Sequence, residues 1–327
     1  MINGGAGLKR LGLDGFIWLL FASILAAWLA PGVGSGEVLA GIAHWGVAVI
    51  FFFYGLRLNW QQIHQGLANY KLHIVVQLAT FVLFPALVFP FAWGMQGSET
   101  YHWIGIGMFF LAALPSTVSS SVVMVNIARG NVPAAIFDAS ISSLLGVFLT
   151  PLWMQVFIHS AQGGKALPHV IFSLILQVIV PILAGILLHA KWGWISVRYD
   201  KRLRQMDQGI ILLIVYTSFC HSFQEEMFAP LAWTTLLNLT GVLFGLFWVV
   251  FYLLKWICLL LRFSREDTIT TIFCGSKKSL VHATVMAQVL LTDSSLAGIL
   301  LLPIMIYHAM QLILVSIVAQ KAGNVGD

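Results

Sequence analysis

Charge is what this sequence lacks most. Of its 327 residues, 17 are Lys or Arg and 12 are Asp or Glu, so 9 % carry a formal charge. Soluble domains carry roughly 25 %. With 59 % hydrophobic residues and a mean hydropathy of +0.92, the chain has too few polar side chains to cover a surface in water. A water-soluble fold is excluded and an integral membrane protein is implied, with the lipid bilayer as its partner. Cysteine is scarce too. Cys220, Cys258 and Cys274 stand far apart with no CxxC spacing, which excludes a disulfide framework or a zinc site and leaves them as small buried apolar residues. Catalytic signatures are missing: no HExxH, GxSxG, phosphate-binding loop or paired carboxylates, and no telling Ser–His spacing. The recognisable intramembrane hydrolases are thereby excluded, and the chain is not read as an enzyme. The net charge of +5 is spread over short loops, so nucleic acid is not an expected partner.

What is present is a series of apolar stretches. An α-helix needs about 20 residues to cross the hydrocarbon core. Ten candidates occur, at 13–31, 38–57, 72–95, 102–128, 132–159, 168–190, 208–228, 233–261, 267–292 and 296–320. The longest connections are 58–71 and 191–207, and no gap holds a soluble domain. The first stretch follows Lys9 and Arg10 and resembles a signal peptide, but nine similar stretches follow, so it reads as a retained span. With the N-terminus in the cytoplasm, 14 of the 17 basic residues fall on the inside, only Lys165 falls outside, and Lys277 and Lys278 lie within a span. That bias is the one a correct helix count produces. It predicts a multi-pass protein of the cytoplasmic (inner) membrane with both termini cytoplasmic.

Ten divides into two units of five, 13–159 and 168–320. An odd-numbered unit repeated in tandem inserts the second time upside down, as in many secondary transporters. The fourth stretch carries PSTVSSS (115–121), and its counterpart, the ninth, carries CGSKKS (274–279). Paired interruptions of this kind point to broken helices around a binding site at mid-membrane, where irregular backbone is tolerated only beside protein or water.

Pro115 removes a backbone donor, and Ser116, Thr117, Ser119, Ser120 and Ser121 offer hydroxyls to freed amides, a cation or a substrate. Lys277 and Lys278 would each cost ~2.5–3.5 kcal/mol near the centre of a lipid-facing helix. They sit about ten residues, or ~15 Å, from the cytoplasmic start of their stretch, too far for a lysine stem to reach the interface. Pairing with a buried carboxylate or with the carbonyls at a helix C-terminus is therefore expected, and Asp138 is the one carboxylate of the sequence placed inside a span. Asp138 is expected to pair with Lys277 or Lys278 in at least one transport state. Gln77, Asn126, His282, Gln288, His308 and Gln311 are further intramembrane polar groups. Singly, such groups read as hydrogen-bonded packing residues.

Five separated motifs, FFFYGLRL (51–58), ALPSTVSSSVVMVNIARGN (113–131), AAIFDASISSLLGVFLTPL (134–152), IFCGSKKSL (272–280) and LLPIMIYHAMQL (301–312), together resemble the bile acid:sodium symporter family. The likeness is to its divergent SBF-like branch and runs over roughly 10–320. It implies an all-α fold of ten transmembrane helices in two inverted repeats. Helices 1, 2, 6 and 7 would form a panel domain. Helices 3–5 and 8–10 would form a core in which broken helices 4 and 9 cross. It further implies two sodium ions at the crossing, an organic anion or sterol-like solute between core and panel, and alternating access.

The implied sodium ligands carry over only in part. The family's Ser–Asn pair falls near Ser120 and Ser121, and its helix 3 Gln corresponds to Gln77. Its helix 9 carboxylate falls near Phe273 or Cys274, and its Gln–Asn pair falls on Lys277 and Lys278. The helix 5 hydroxyls align near Ala135 and Ala139, with Asp138 and Ser140 close by. Unit charges 4 Å apart repel by ~4 kcal/mol even at an effective dielectric of 20. A lysine ammonium in place of sodium, held by the 116–121 hydroxyls and Asp138, is one expectation. Proton coupling, uncoupled transport, or direct binding of an anion by the lysines are others. Ser279 and His308 complete the candidate site. A transport-inactive scaffold that keeps the fold is the alternative, and the sequence does not set an oligomeric state.

Overall fold

The computed structural model describes residues 15–34, 37–57, 69–95, 97, 101–158, 172–226, 228–229, 231–290 and 296–324. Among them helix is the only regular structure. That is what a chain surrounded by lipid requires, since each helix satisfies its own backbone polar groups. In order they are α1 (Gly15–Leu29), a single turn at Pro31–Gly34, α2 (Glu37–Arg57), α3 (Tyr70–Gly94), α4 (His102–Ala113), α5 (Ser119–Ile127) and α6 (Val132–Ile158). Then come α7 (Phe172–Arg198), α8 (Asp200–Gln224), α9 (Trp233–Leu260), α10 (Arg265–Gly275), α11 (Leu280–Leu290) and α12 (Ala297–Asn324). Five described helices, α3, α6, α7, α9 and α12, are long and apolar enough to cross a membrane unaided. Their outward faces are apolar, as Trp233, Leu237, Tyr252 and Trp256 on α9 show.

Two sequence expectations on boundaries are corrected. The stretch 191–207, read as a connection, is helical except at Tyr199. α7 runs on to Arg198, and α8 begins eight residues before the predicted 208, with Lys201, Arg202 and Arg204 on its leading turns. Hydropathy marks the lipid-facing part of a helix and cannot see its polar extension. Residues 58–68 of the other long connection lie outside the described residues.

Helix starts follow local chemistry. Ser264 Oγ accepts the Asp267 amide at α10, Asn131 Oδ1 accepts the Ala134 amide at α6, and Ser279 Oγ accepts the His282 amide at α11. The Asp267 carboxylate also accepts from the side chains of Asn69 and Asn131, tying together the starts of α3, α6 and α10. Arg57 at the end of α2 meets Asp207 of α8 at 3.0 Å.

Packing sorts the helices. α1, α2, α7 and α8 lie against one another, while α3–α6 pack with α9–α12. The closest pair is α2 with α7, and two glycines make it possible. A Cβ on Gly55 would stand 2.1 Å from the Ile182 carbonyl oxygen, and one on Gly185 2.2 Å from that of Phe52. Small residues are how membrane helices bring their backbones together.

Candidate ion and substrate site at the helix crossing

Both predicted interruptions are real breaks. α4 stops at Ala113, Leu114 is extended (φ −69°, ψ 151°) as the residue before a proline must be, and α5 starts only at Ser119. α10 stops at Gly275 and α11 starts at Leu280. The breaks meet and satisfy each other. The Ser279 amide donates to the Pro115 carbonyl at 2.9 Å. Ser116 Oγ donates to the Cys274 carbonyl, and Ser121 Oγ to that of Phe273 at 3.4 Å, so side chains of one break cap the last carbonyls of the other. The Ser116 amide donates to Ser142 Oγ, Thr150 Oγ1 donates to the Ala113 carbonyl, and Tyr307 OH donates to the Ser276 carbonyl.

Lys278 is buried at 0 % exposure, and its Nζ lies 2.8, 2.7 and 2.8 Å from the carbonyl oxygens of Thr80, Ala112 and Leu114. A lysine ammonium has three N–H bonds, and all three are used. Its nitrogen also lies 4.2 Å from the Phe84 ring centroid, a cation–π contact. Two prolines free the carbonyls. α3 contains a π turn at Ala79–Leu83, in which the Phe84 amide bonds Ala79. In that register the Thr80 carbonyl would accept from residue 85, which is Pro85 and has no N–H. In the α register the Phe81 carbonyl would accept from the same residue, and Trp153 Nε1 takes it at 2.8 Å instead. At the end of α4, the Ala112 carbonyl has only Pro115 and Ser116 within helical reach. Pro115 has no N–H, and Ser116 gives its own to Ser142. The negative end of α4 therefore points at the ammonium.

The remaining predicted residues separate. Thr117, Ser120 and Ser121 bond one another, with Thr117 Oγ1 2.7 Å from Ser121 Oγ and 3.0 Å from Ser120 Oγ. Ser119 begins α5, and its side chain lies outside the described residues. Ser140 Oγ donates to the Ile136 carbonyl of its own helix, and the Tyr54 hydroxyl of α2 lies near Ser140 and Ser143 without hydrogen-bond geometry to either. The expected pairing of Asp138 with a lysine is not found in this conformation. Asp138 Oδ1 meets His73 Nδ1 at 3.0 Å and Gln77 Nε2 at 3.3 Å. His73 stands one turn before Gln77 on α3, and the i, i+4 spacing was the signal that could have found it. The hydroxyls at 116–121 do not hold Lys278 either; backbone carbonyls do. Gln77 Oε1 and Asp138 Oδ2 are buried acceptors with no partner among the described residues. Gln311 grips the Lys278 backbone twice, its Oε1 accepting from the amide at 2.9 Å and its Nε2 donating to the carbonyl at 2.8 Å. Gln311 Nε2 also reaches His308 Nδ1 at 3.0 Å.

Broken helices capping each other inside an apolar bundle, with an ion-like ammonium among carbonyls, are the architecture of a carrier. A profile of the SBF-like CPA transporter family matches residues 14–324. The chain belongs to this family. It is 39 % identical over 315 residues to the uncharacterized protein PA2026 of Pseudomonas aeruginosa, covering 94 % of this chain and 92 % of that one. It is 34 % identical over 311 residues to "Putative symporter YfeH" of Escherichia coli, with 94 % and 92 % covered. Sodium/bile acid cotransporter 7-B of Xenopus laevis is 30 % identical over 320 residues, with 95 % and 92 % covered. The protein is thus a multi-pass membrane transporter of the bile acid:sodium symporter type.

The mutual capping is testable. Ser116→Ala leaves the Cys274 carbonyl unpartnered and should lower stability by about 1–3 kcal/mol, the cost of a buried unsatisfied group. Ser140→Ala removes a bond within one helix and should stay within about 0.5 kcal/mol. Thermal unfolding in detergent reads both, and equal effects would mean that the crossing bonds carry no special weight.

Proposed function

We propose that the protein is a secondary active transporter of a small organic solute, anionic or sterol-like, working by alternating access in the cytoplasmic membrane with both termini inside. The observation that carries this is the meeting of two broken helices in the bundle interior, their polar ends turned on each other. Counting α4 with α5 and α10 with α11 gives ten spans, in inverted repeats 13–159 and 168–320. The helices α1, α2, α7 and α8 form the panel, and the others form the core that moves against it. The relatives named for bile acid cotransport favour the solute class.

In this reading Lys278 stands where a coupling cation would bind. Its ammonium fills the carbonyl cage, and a sodium ion at that place would meet a positive charge. Transport then runs without sodium, coupled to protons or uncoupled. A second reading keeps sodium, as the relatives' names suggest. The ion would use other oxygens, and the unpartnered Gln77 Oε1 and Asp138 Oδ2 favour that reading, with Ser120 and Ser121 nearer the break.

Uptake of a mixed metabolite pool into proteoliposomes decides between them, with imposed sodium or proton gradients and mass spectrometric detection. We expect accumulation indifferent to sodium in the native protein. Accumulation driven by sodium alone refutes the ammonium reading. No accumulation under any gradient favours a scaffold that has kept the fold.

A further inference from the structure

Lys277 and Lys278 are neighbours in sequence and opposites in bonding. Lys277 is as fully buried, at 0 % exposure, yet its Nζ has no hydrogen-bond partner among the described residues. An isolated buried cation is one of the costliest features a protein interior can hold, and interiors keep one only beside something that compensates it. Nothing among the described residues does so here. Cys274, three residues back on α10, and His308 of α12 are the groups within electrostatic reach of the ammonium. Asp138 lies within electrostatic reach of Cys274, but its carboxylate is held by His73 and Gln77. Among the described residues no carboxylate stands within ion-pair distance of Lys277, the one ion pair of this region being His73 with Asp138.

His308 adds a second donor, and its tautomer follows from its neighbours. The Lys278 backbone fixes the Gln311 amide, because exchanging its oxygen and nitrogen would set acceptor against carbonyl and donor against amide. Nε2 is therefore a donor, and its remaining hydrogen points at His308 Nδ1. A ring nitrogen that accepts carries no proton, so the neutral ring carries its proton on Nε2. His308 is only partly buried, so it stands at the edge of the packed crossing.

Lys277 brings an ammonium with no partner among the described residues, and the His308 ring, which also meets the Lys278 backbone, brings a second N–H, so together they offer donors and no acceptor. We infer that Lys277 and His308 hold the anionic group of the transported solute, a carboxylate being the class that suits two donors, one from the α10–α11 break and one from α12. The inference rests on the transporter reading and gives its two lysines separate tasks: Lys278 as a fixed cation and Lys277 as the ligand-binding one.

The test uses the full chain in a neutral detergent. Octanoate and cholate are titrated below their micelle concentrations, each beside its methyl ester, which keeps the apolar body and loses the charge. Tryptophan fluorescence and the thermal unfolding midpoint are read. At least one acid should bind saturably and stabilise the protein, with its ester at least tenfold weaker. Lys277→Gln should weaken that acid at least tenfold, His308→Ala should weaken it several-fold, and Lys277→Arg should keep part of the binding. Without any acid, Lys277→Gln should unfold at the same temperature as the native protein or higher, because it removes an uncompensated charge. A lysine with a structural task would give a lower midpoint. The inference is overturned if neither acid exceeds its ester, or if Lys277→Gln binds as the native protein does. Lys277-dependent binding without uptake in proteoliposomes would leave this site standing and remove the transport reading. Uptake unchanged in Lys277→Gln would do the reverse.

Discussion

Lys278→Met should be the most damaging single side-chain change at the crossing. Methionine matches the stem and removes every donor, leaving the Thr80, Ala112 and Leu114 carbonyls without partners. Each would cost about 1–3 kcal/mol if nothing relaxed. Water and local movement recover part, so a net loss of about 3–5 kcal/mol is expected. The thermal midpoint should fall by on the order of 10 °C. Lys278→Arg should not rescue it, because a planar guanidinium cannot aim three donors at carbonyls converging on one point. Lys278→Ala is the informative companion, since it leaves the cage and opens space inside it. Sodium should raise the midpoint of Lys278→Ala and leave the native protein unmoved. A native protein that sodium stabilises, or a Lys278→Met protein that unfolds normally, would show that the cage is not the cation position.

The second large effect is expected from one methyl group far from the crossing. In Gly185→Ala the new Cβ would lie 2.2 Å from the Phe52 carbonyl oxygen and 2.7 Å from the Leu56 amide nitrogen. Both are backbone atoms of α2, so no side chain can turn aside, and the two helices must part. Overpacking usually costs about 1–3 kcal/mol, and the upper end or beyond is expected when backbone is the obstacle. α2 also carries Phe51 and Tyr54, which face His282 and the Ser140–Ser143 turn. Transport should therefore fall together with stability. Gly241→Ala on α9, where a Cβ meets nothing within 4 Å, should leave the midpoint unchanged. Equal midpoints for both variants would mean that α2 and α7 are not in this contact.

The sequence made the breaks legible for a physical reason. Adjacent lysines are costly in a continuous lipid-facing helix, and a proline followed by five hydroxyls in six residues supplies what a broken one needs, so PSTVSSS and CGSKKS announce themselves. The division of labour at 277 and 278 was not legible, because adjacent residues in an irregular segment point in directions that only the surrounding helices decide. Helix C-terminal carbonyls are among the partners expected for a buried lysine, as those of Ala112 and Leu114 are for Lys278, but the identity of that partner was not legible. It is backbone, and a backbone acceptor has no letter of its own. Only Pro85, five residues after Thr80, and Pro115, three after Ala112, mark it, and those marks mean nothing until α3 is laid beside α4 and α10. For Asp138, charge complementarity named the lysines, whereas in this conformation His73, 3.0 Å away on α3, meets the carboxylate.

A positive charge covalently tied to the chain has an electrical consequence. A sodium ion enters with the solute and leaves with it, so its charge crosses the membrane once in each cycle. In the uncoupled reading Lys278 keeps its proton, and its charge is never released. It shifts with the protein during the loaded step and shifts back during the empty one, and its contribution to the current cancels. Without a coupling ion, the current would equal the charge of the solute alone, and each elementary charge would feel about 2.3 kcal/mol per 100 mV of membrane potential. In a cell that is negative inside, a solute anion carried this way would be pushed outward, and under the proposed uncoupled reading the carrier would run by default as an exit.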